Sequence, residues 1–154
     1  MKHRFILLLT LLAFVSCGNL NVHMVNLTVE QQDGSQPLAT DQPRFSWQYE
    51  SSENNVTQTS YHIIVASTEQ KAKRGIGDLW DAEANSNQML YIPYQGQPLH
   101  SRDKAYWKVT ASVTVGDKAT NVESEVQSFE ISLLEPDDWQ AHWIGRDFDD
   151  DGII

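Results

Sequence analysis

The 154-residue chain has one cysteine, 11 basic residues and 5 prolines. A single Cys excludes an internal disulfide and any Cys-rich metal site. The Lys and Arg residues are scattered among 21 acidic ones, for a net charge of −10. A phosphate-binding surface needs clustered cations, so a nucleic-acid partner is not expected. There is no apolar run of about 18 residues, so nothing is expected to cross a bilayer as a mature helix. The histidines His3, His23, His62, His100 and His142 show neither His-x-His nor His-x-x-x-His spacing, which argues against zinc. A Gly-x-Ser-x-Gly elbow is also missing, so a nucleophilic hydrolase lacks its motif. No cofactor is expected. What the chain does have is 40% apolar residues and 10% aromatics, enough for a packed core.

The first 17 residues read as an address. Lys2, His3 and Arg4 precede an apolar stretch from Phe5 to Val15, interrupted by Thr10, which is the make-up of a secretory signal. Phe14-Val15-Ser16-Cys17 resembles the lipobox of bacterial lipoproteins, which implies that Cys17 is lipidated and becomes the mature N-terminus. Residues 1–16 are then signal peptide and 17–21 a polar tether. Removing the signal leaves 9 basic against 21 acidic residues, and an exported protein anchored to a membrane by lipid is expected.

From Val22 onward the apolar period is close to two. Val22–Glu30 reads as a strand with Val25, Leu27 and Val29 on one side, ended by a turn at Asp33-Gly34. Arg44–Tyr49 presents Phe45, Trp47 and Tyr49 on one face. Gln58–Ser67 places Tyr61, Ile63 and Val65 on one face, with Ile64 and Ala66 on the other, as in a strand covered on both sides. A short helical segment over 68–74, capped by Thr68 and stopped by Gly75, follows. Gln88–Tyr94 is extended, and Ala105–Val115 alternates without a break. Its partner returns over Val122–Leu133 with Val122, Val126, Phe129 and Ile131 as core contacts. The pattern predicts an all-β immunoglobulin or fibronectin type III-like β-sandwich of about seven short antiparallel strands over residues 22–134, preceded by the signal peptide. Residues 135–154 read as a linker and the truncated start of a following domain.

Several phrases in register carry a resemblance. These are Pro43-Arg44-Phe45-Ser46-Trp47, the run Gln58–Ser67, Gly77-Asp78-Leu79-Trp80-Asp81, Tyr94-Gln95-Gly96-Gln97-Pro98-Leu99, Tyr106-Trp107-Lys108-Val109 and Trp139-Gln140-Ala141-His142-Trp143-Ile144-Gly145. Together, over residues 25–146, they resemble the N-terminal region of bacterial α-L-rhamnosidases, the inverting enzymes of glycoside hydrolase family 78. In that family the segment is a fibronectin type III-like sandwich ahead of further β-domains and an (α/α) barrel that carries the catalytic carboxylates. The resemblance therefore implies a non-catalytic accessory module, and no catalytic residue carries over to any position of this chain. The expected partners are a downstream catalytic domain or rhamnose-containing glycans. The alternative is a stand-alone envelope lipoprotein that binds carbohydrate or protein through an exposed aromatic patch.

The acidic pairs Asp78 with Asp81 and Asp137 with Asp138 are expected to cap turns and solvate loops, because glycosidase carboxylates sit in a deep pocket. Candidates for stacking on a pyranose face are Trp80, Tyr91, Tyr94 and Trp139, while Trp47 and Trp107 belong to the core. In the tail, Asp147, Asp149 and Asp151 with Gly152 match half of a calcium loop. The bidentate Glu of such a loop is missing, so an acidic tail and no metal site is expected.

Overall fold

The computed structural model describes residues 20–140. Residues 1–16, expected as signal peptide, Cys17, most of the expected tether and the Asp147–Asp151 run lie outside the described residues. Eight strands run in chain order. They are β1 (Val22–Val29), β2 (Arg44–Ser51), β3 (Val56–Ala66), β4 (Trp80–Ala84), β5 (Ile92–Pro93), β6 (Lys104–Val115), β7 (Lys118–Glu123) and β8 (Gln127–Glu130). A single helical turn and a half, α1 (Glu69–Lys73), separates β3 from β4, and a 3₁₀ turn, Pro136–Asp138, ends the described chain. One sheet has the order β1-β2-β5 and the other β4-β3-β6-β7, and every strand pairing is antiparallel. Both β7 and β8 lie along the edge of β6 opposite β3, pairing with its second and first halves. The return strand expected over Val122–Leu133 is thus split. At the break Ser124 keeps the ladder going, its N–H donating to Val109 O at 2.8 Å and its Oγ accepting from Val109 N at 3.0 Å. Val126, expected in the core, stays half-buried in that break.

The alternation in β6 is realised almost without exception, with Ala105, Trp107, Val109, Ala111 and Val113 buried. Val115 packs with Val22, Val113 and Val122 in a small cluster at one end of the sandwich. The main core centres on Phe45. Its ring meets Trp107 at 4.8 Å, Trp80 and Phe129 at 5.8 Å and Tyr94 at 6.4 Å, centroid to centroid. Such tilted and edge-on contacts match the ring quadrupoles and add to the gain from burial. On the far side of β3, Ile64 and Ala66 are buried as expected, with α1 packed across β3 and β6 through Ala72. Thr68 caps α1, its Oγ1 accepting from Lys71 N, and Gly75 past the end has φ +74°.

Two bulges change the parity that periodicity alone predicts. In β1 the register slips between Val25 and Thr28, around Asn26 at φ +51°. Asn tolerates this left-handed conformation better than other non-glycine residues. Met24 before the slip and Leu27 and Val29 after it pack on the core, so Val25 leaves the face predicted for it. In β3 the register slips between Gln58 and Ser60, which turns Gln58 inward. That side chain, 3% exposed, accepts at Oε1 from Trp47 Nε1 (3.0 Å) and Tyr49 Oη (2.6 Å). Its Nε2 donates to Ser86 O and Gln88 O, both at 2.9 Å. All four hydrogen-bonding positions of one amide are filled, and they tie β2, β3 and the β4–β5 connection together.

The turn after β1 is also displaced. Val29 and Gln32 exchange backbone hydrogen bonds of 2.9 Å across Glu30 and Gln31, both at positive φ, so the tight turn falls there and not at Asp33-Gly34. Gly34 answers a different demand. A Cβ at this position would collide with Ser128 O, and its φ is +84°.

Candidate functional site

The structure separates the four aromatic candidates. Trp80 opens β4, and its ring packs edge-on against Tyr94 at 5.4 Å and beside Phe45. Tyr94 is 7% exposed; its Oη donates to Gln97 O at 2.8 Å with Leu79 O at 3.3 Å, and burial pushes its phenol up to about 12. Tyr94 is a core residue and Trp80 is half-buried against that core, so neither ring stands free on the surface for the sugar stacking expected of it. The signal was present in the sequence. Ile92 and Tyr94 stand two apart, the strand period, and both turn inward while Pro93 between them stays exposed.

Tyr91 has the opposite fate. It is 44% exposed beside Leu90 at 49%, and it adopts φ +57° with its N–H donating to Ser46 Oγ at 3.0 Å. The left-handed backbone costs about 1 kcal/mol for such a residue. The Arg44 guanidinium lies 5.1 Å from the Tyr91 ring centroid and binds Glu30 through Nε (2.9 Å) and Nη2 (2.7 Å). The hydrogen bonds from Arg44 hold the Glu30 carboxyl below its usual range. Tyr91, Arg44 and Glu30 thus form an exposed aromatic flanked by a bidentate ion pair.

Trp139 stands at the other candidate surface, 69% exposed, directly after the 3₁₀ turn. That turn is fastened to the 100–103 loop. Ser101 Oγ binds the Asp138 carboxylate and accepts from Leu134 N at 2.9 Å, while Glu135 N donates to Asp138 Oδ2 at 2.9 Å. Arg102 reaches Asp138 O at 3.4 Å, and its own N–H donates to Ile131 O at 2.9 Å from a backbone at φ +68°. The Ser101 hydroxyl, then the Glu135 N–H, hold the Asp138 carboxyl below the usual carboxylate range. Next to this latch lies a groove of about 470 Å³ whose surface is mostly apolar, lined by Pro37, Ile131, Leu133 and Trp139 with Arg102 and Glu130. Apart from Trp139, no residue pattern pointed to the groove, because its walls come from segments far apart in the chain.

The acidic pairs do structural work. Asp78 accepts from Ser67 N (3.0 Å), Ser67 Oγ (2.7 Å) and Lys71 Nζ (2.7 Å), joining α1 to the start of β4. Burial alone would raise its carboxyl, but the Lys71 ammonium and the Ser67 donors outweigh this and bring it down to about 2. Asp81 pairs with His62 at 2.7 Å across β3 and β4. Among the described residues no group of three His, Cys, Asp or Glu side chains converges on a metal-sized site.

Comparison with known proteins gives this geometry a context. Residues 24–135 match the family model described as Rha78A-like, N-terminal immunoglobulin domain. An α-L-rhamnosidase from Formosa agariphila is 40% identical over 113 residues, covering 73% of this chain and 12% of that protein. One from an Alteromonas species is 35% identical over 104 residues, covering 67% of this chain and 11% of its own length. The solved α-L-rhamnosidase from Dictyoglumus thermophilum superposes with a TM-score of 0.69 at 29% identity, over 77% of this chain and 13% of that one. The chain therefore spans only about a tenth of the length of the relatives it matches. With the sandwich and the matched residues 24–135 in agreement, the chain belongs to the Rha78A-like N-terminal immunoglobulin domain family.

Proposed function

We propose that the chain is a non-catalytic accessory module of an exported α-L-rhamnosidase-like glycoside hydrolase, and that it fixes the direction in which the polypeptide continues. The observation that carries this reading is the latch at the exit. Ser101, Arg102 and Asp138 hold the last described turn in one orientation, where a flexible linker would leave it free. The engagement of Asp78 and Asp138 in local locks supports a role without an acid–base pair. In this reading the module sits at the bacterial envelope, attached to the membrane by lipid, and the signal-like start with Cys17 supports it.

The test pairs an aryl α-L-rhamnoside assay with calorimetric titration by rhamnose-containing oligosaccharides. Neither turnover nor heat is expected, whereas turnover above blank would overturn the reading. Heat without turnover would favour the second reading, a stand-alone lipoprotein that binds carbohydrate. The observation behind that second reading is Tyr91, exposed on a strained backbone beside Arg44 and Glu30.

A further inference from the structure

We propose that the groove beside Trp139 is the docking site of the chain's own next segment, residues 141–146, with the Trp143 and Ile144 side chains as its occupant. The groove is apolar where Ile131 forms its floor and Pro37, Leu133 and Trp139 its walls, and Trp139 belongs both to the wall and to the departing chain. Trp143 follows Gln140, the last described residue, by three positions, a reach of about 10 Å in extended backbone. Tethering at that distance turns docking into an intramolecular step, with an effective concentration on the order of millimolar. Trp143 and Ile144 are the large apolar side chains nearest in sequence after Trp139, and each gains by leaving water. The rim carries one charge of each sign: Arg102 reaches Asp138 O at 3.4 Å, and Glu130 lies opposite Lys104 in the β8–β6 register. The latch holds Trp139 at the groove, because Ser101 and Arg102 bind Asp138, the residue just before it.

Docking of this segment would extend the fixed exit past residue 140 and stiffen the junction. The proposal builds on the positioning role, but it is read on this chain alone without any hydrolase substrate, so either idea can fail while the other stands. The experiment follows the methyl resonances of Leu133 and Ile131 in the full chain and in Trp143→Ala, together with the rate of chymotrypsin cleavage after Trp143. Trp143→Ala is expected to move both methyl signals while those of Val113 and Val122, at the other end of the sandwich, stay in place. Leu133→Asp is expected to speed cleavage after Trp143 by about tenfold, because proteolysis tracks the population of the open form. Methyl signals unchanged in Trp143→Ala would overturn the proposal. So would methyl shifts that grow with protein concentration, since a second copy would then be the occupant. Trp143 follows the residues 24–135 that match the family model, so Trp143→Ala keeps the test decisive even where Leu133→Asp does not fold.

Discussion

Tyr94 and Tyr91 are three residues apart and carry the same side chain, yet one is sealed in the core and the other stands in water. Tyr94 follows the inward alternation set by Ile92 and finds acceptors at Leu79 O and Gln97 O for its hydroxyl. Tyr91 sits where the backbone turns left-handed to reach Ser46, and the turn throws its ring outward against Arg44. The same contrast separates Trp107 from Trp139. An aromatic residue in this molecule is a core residue when its strand parity and the closure of two sheets agree. It is a surface residue when a turn intervenes.

Substitutions at matched positions should reproduce the contrast. Phe45→Ala removes the ring at the centre of the aromatic cluster and is expected to lower stability by about 3–5 kcal/mol, whereas Trp139→Ala should change it by less than about 0.5 kcal/mol. Denaturant unfolding of both variants measures the difference, and equal losses would erase the distinction between core and edge. Gln58→Leu comes next. It strands the Trp47 indole N–H and the Tyr49 hydroxyl in the interior, for an expected loss of about 3 kcal/mol. A loss below that of an ordinary surface change would mean that the amide network is idle.

Asp78 offers a subtler break. Its folded carboxyl is held down at about 2, below the unfolded value, so its contribution is present above about pH 4 and is lost as pH falls toward 2. Asp78→Asn is expected to cost about 1 kcal/mol at neutral pH and to flatten that part of the acid limb, as read by unfolding at a series of pH values. The smallest effect is the most telling about Tyr91. Tyr91→Gly relieves the positive φ and should leave stability unchanged or raise it by up to about 1 kcal/mol in thermal unfolding. A clear loss would show that the exposed ring against Arg44 contributes more than its strain.

Most of the strand layout was legible. β6 announces itself by unbroken alternation, β2 and the second half of β3 by their apolar spacing, and α1 by Thr68 and Gly75, because these signals are local. The bulges at Asn26 and near Gln58 were not read, although Val56 and Tyr61 fall on opposite parities of one strand and already betray the slip. The division of the return strand into β7 and β8 depends on how Ser124 meets Val109, a contact with a residue fifteen positions away. Of the candidate site, Tyr91 and Trp139 kept their exposure, and Trp80 and Tyr94 did not. Arg44, Glu30, Ser101 and Arg102 had no signature, since each acquires its place through a partner distant in the chain.

Local pattern alone sets which residues alternate, where the helical turn begins and stops, and that aromatics dominate the interior, because the pleat of a strand turns successive side chains to opposite faces. Only the tertiary structure decided which aromatics close the core, how Gln58 joins the two sheets and where the latch and its groove lie. Those outcomes come from segments far apart in sequence meeting across the sandwich, and no local period encodes such a meeting.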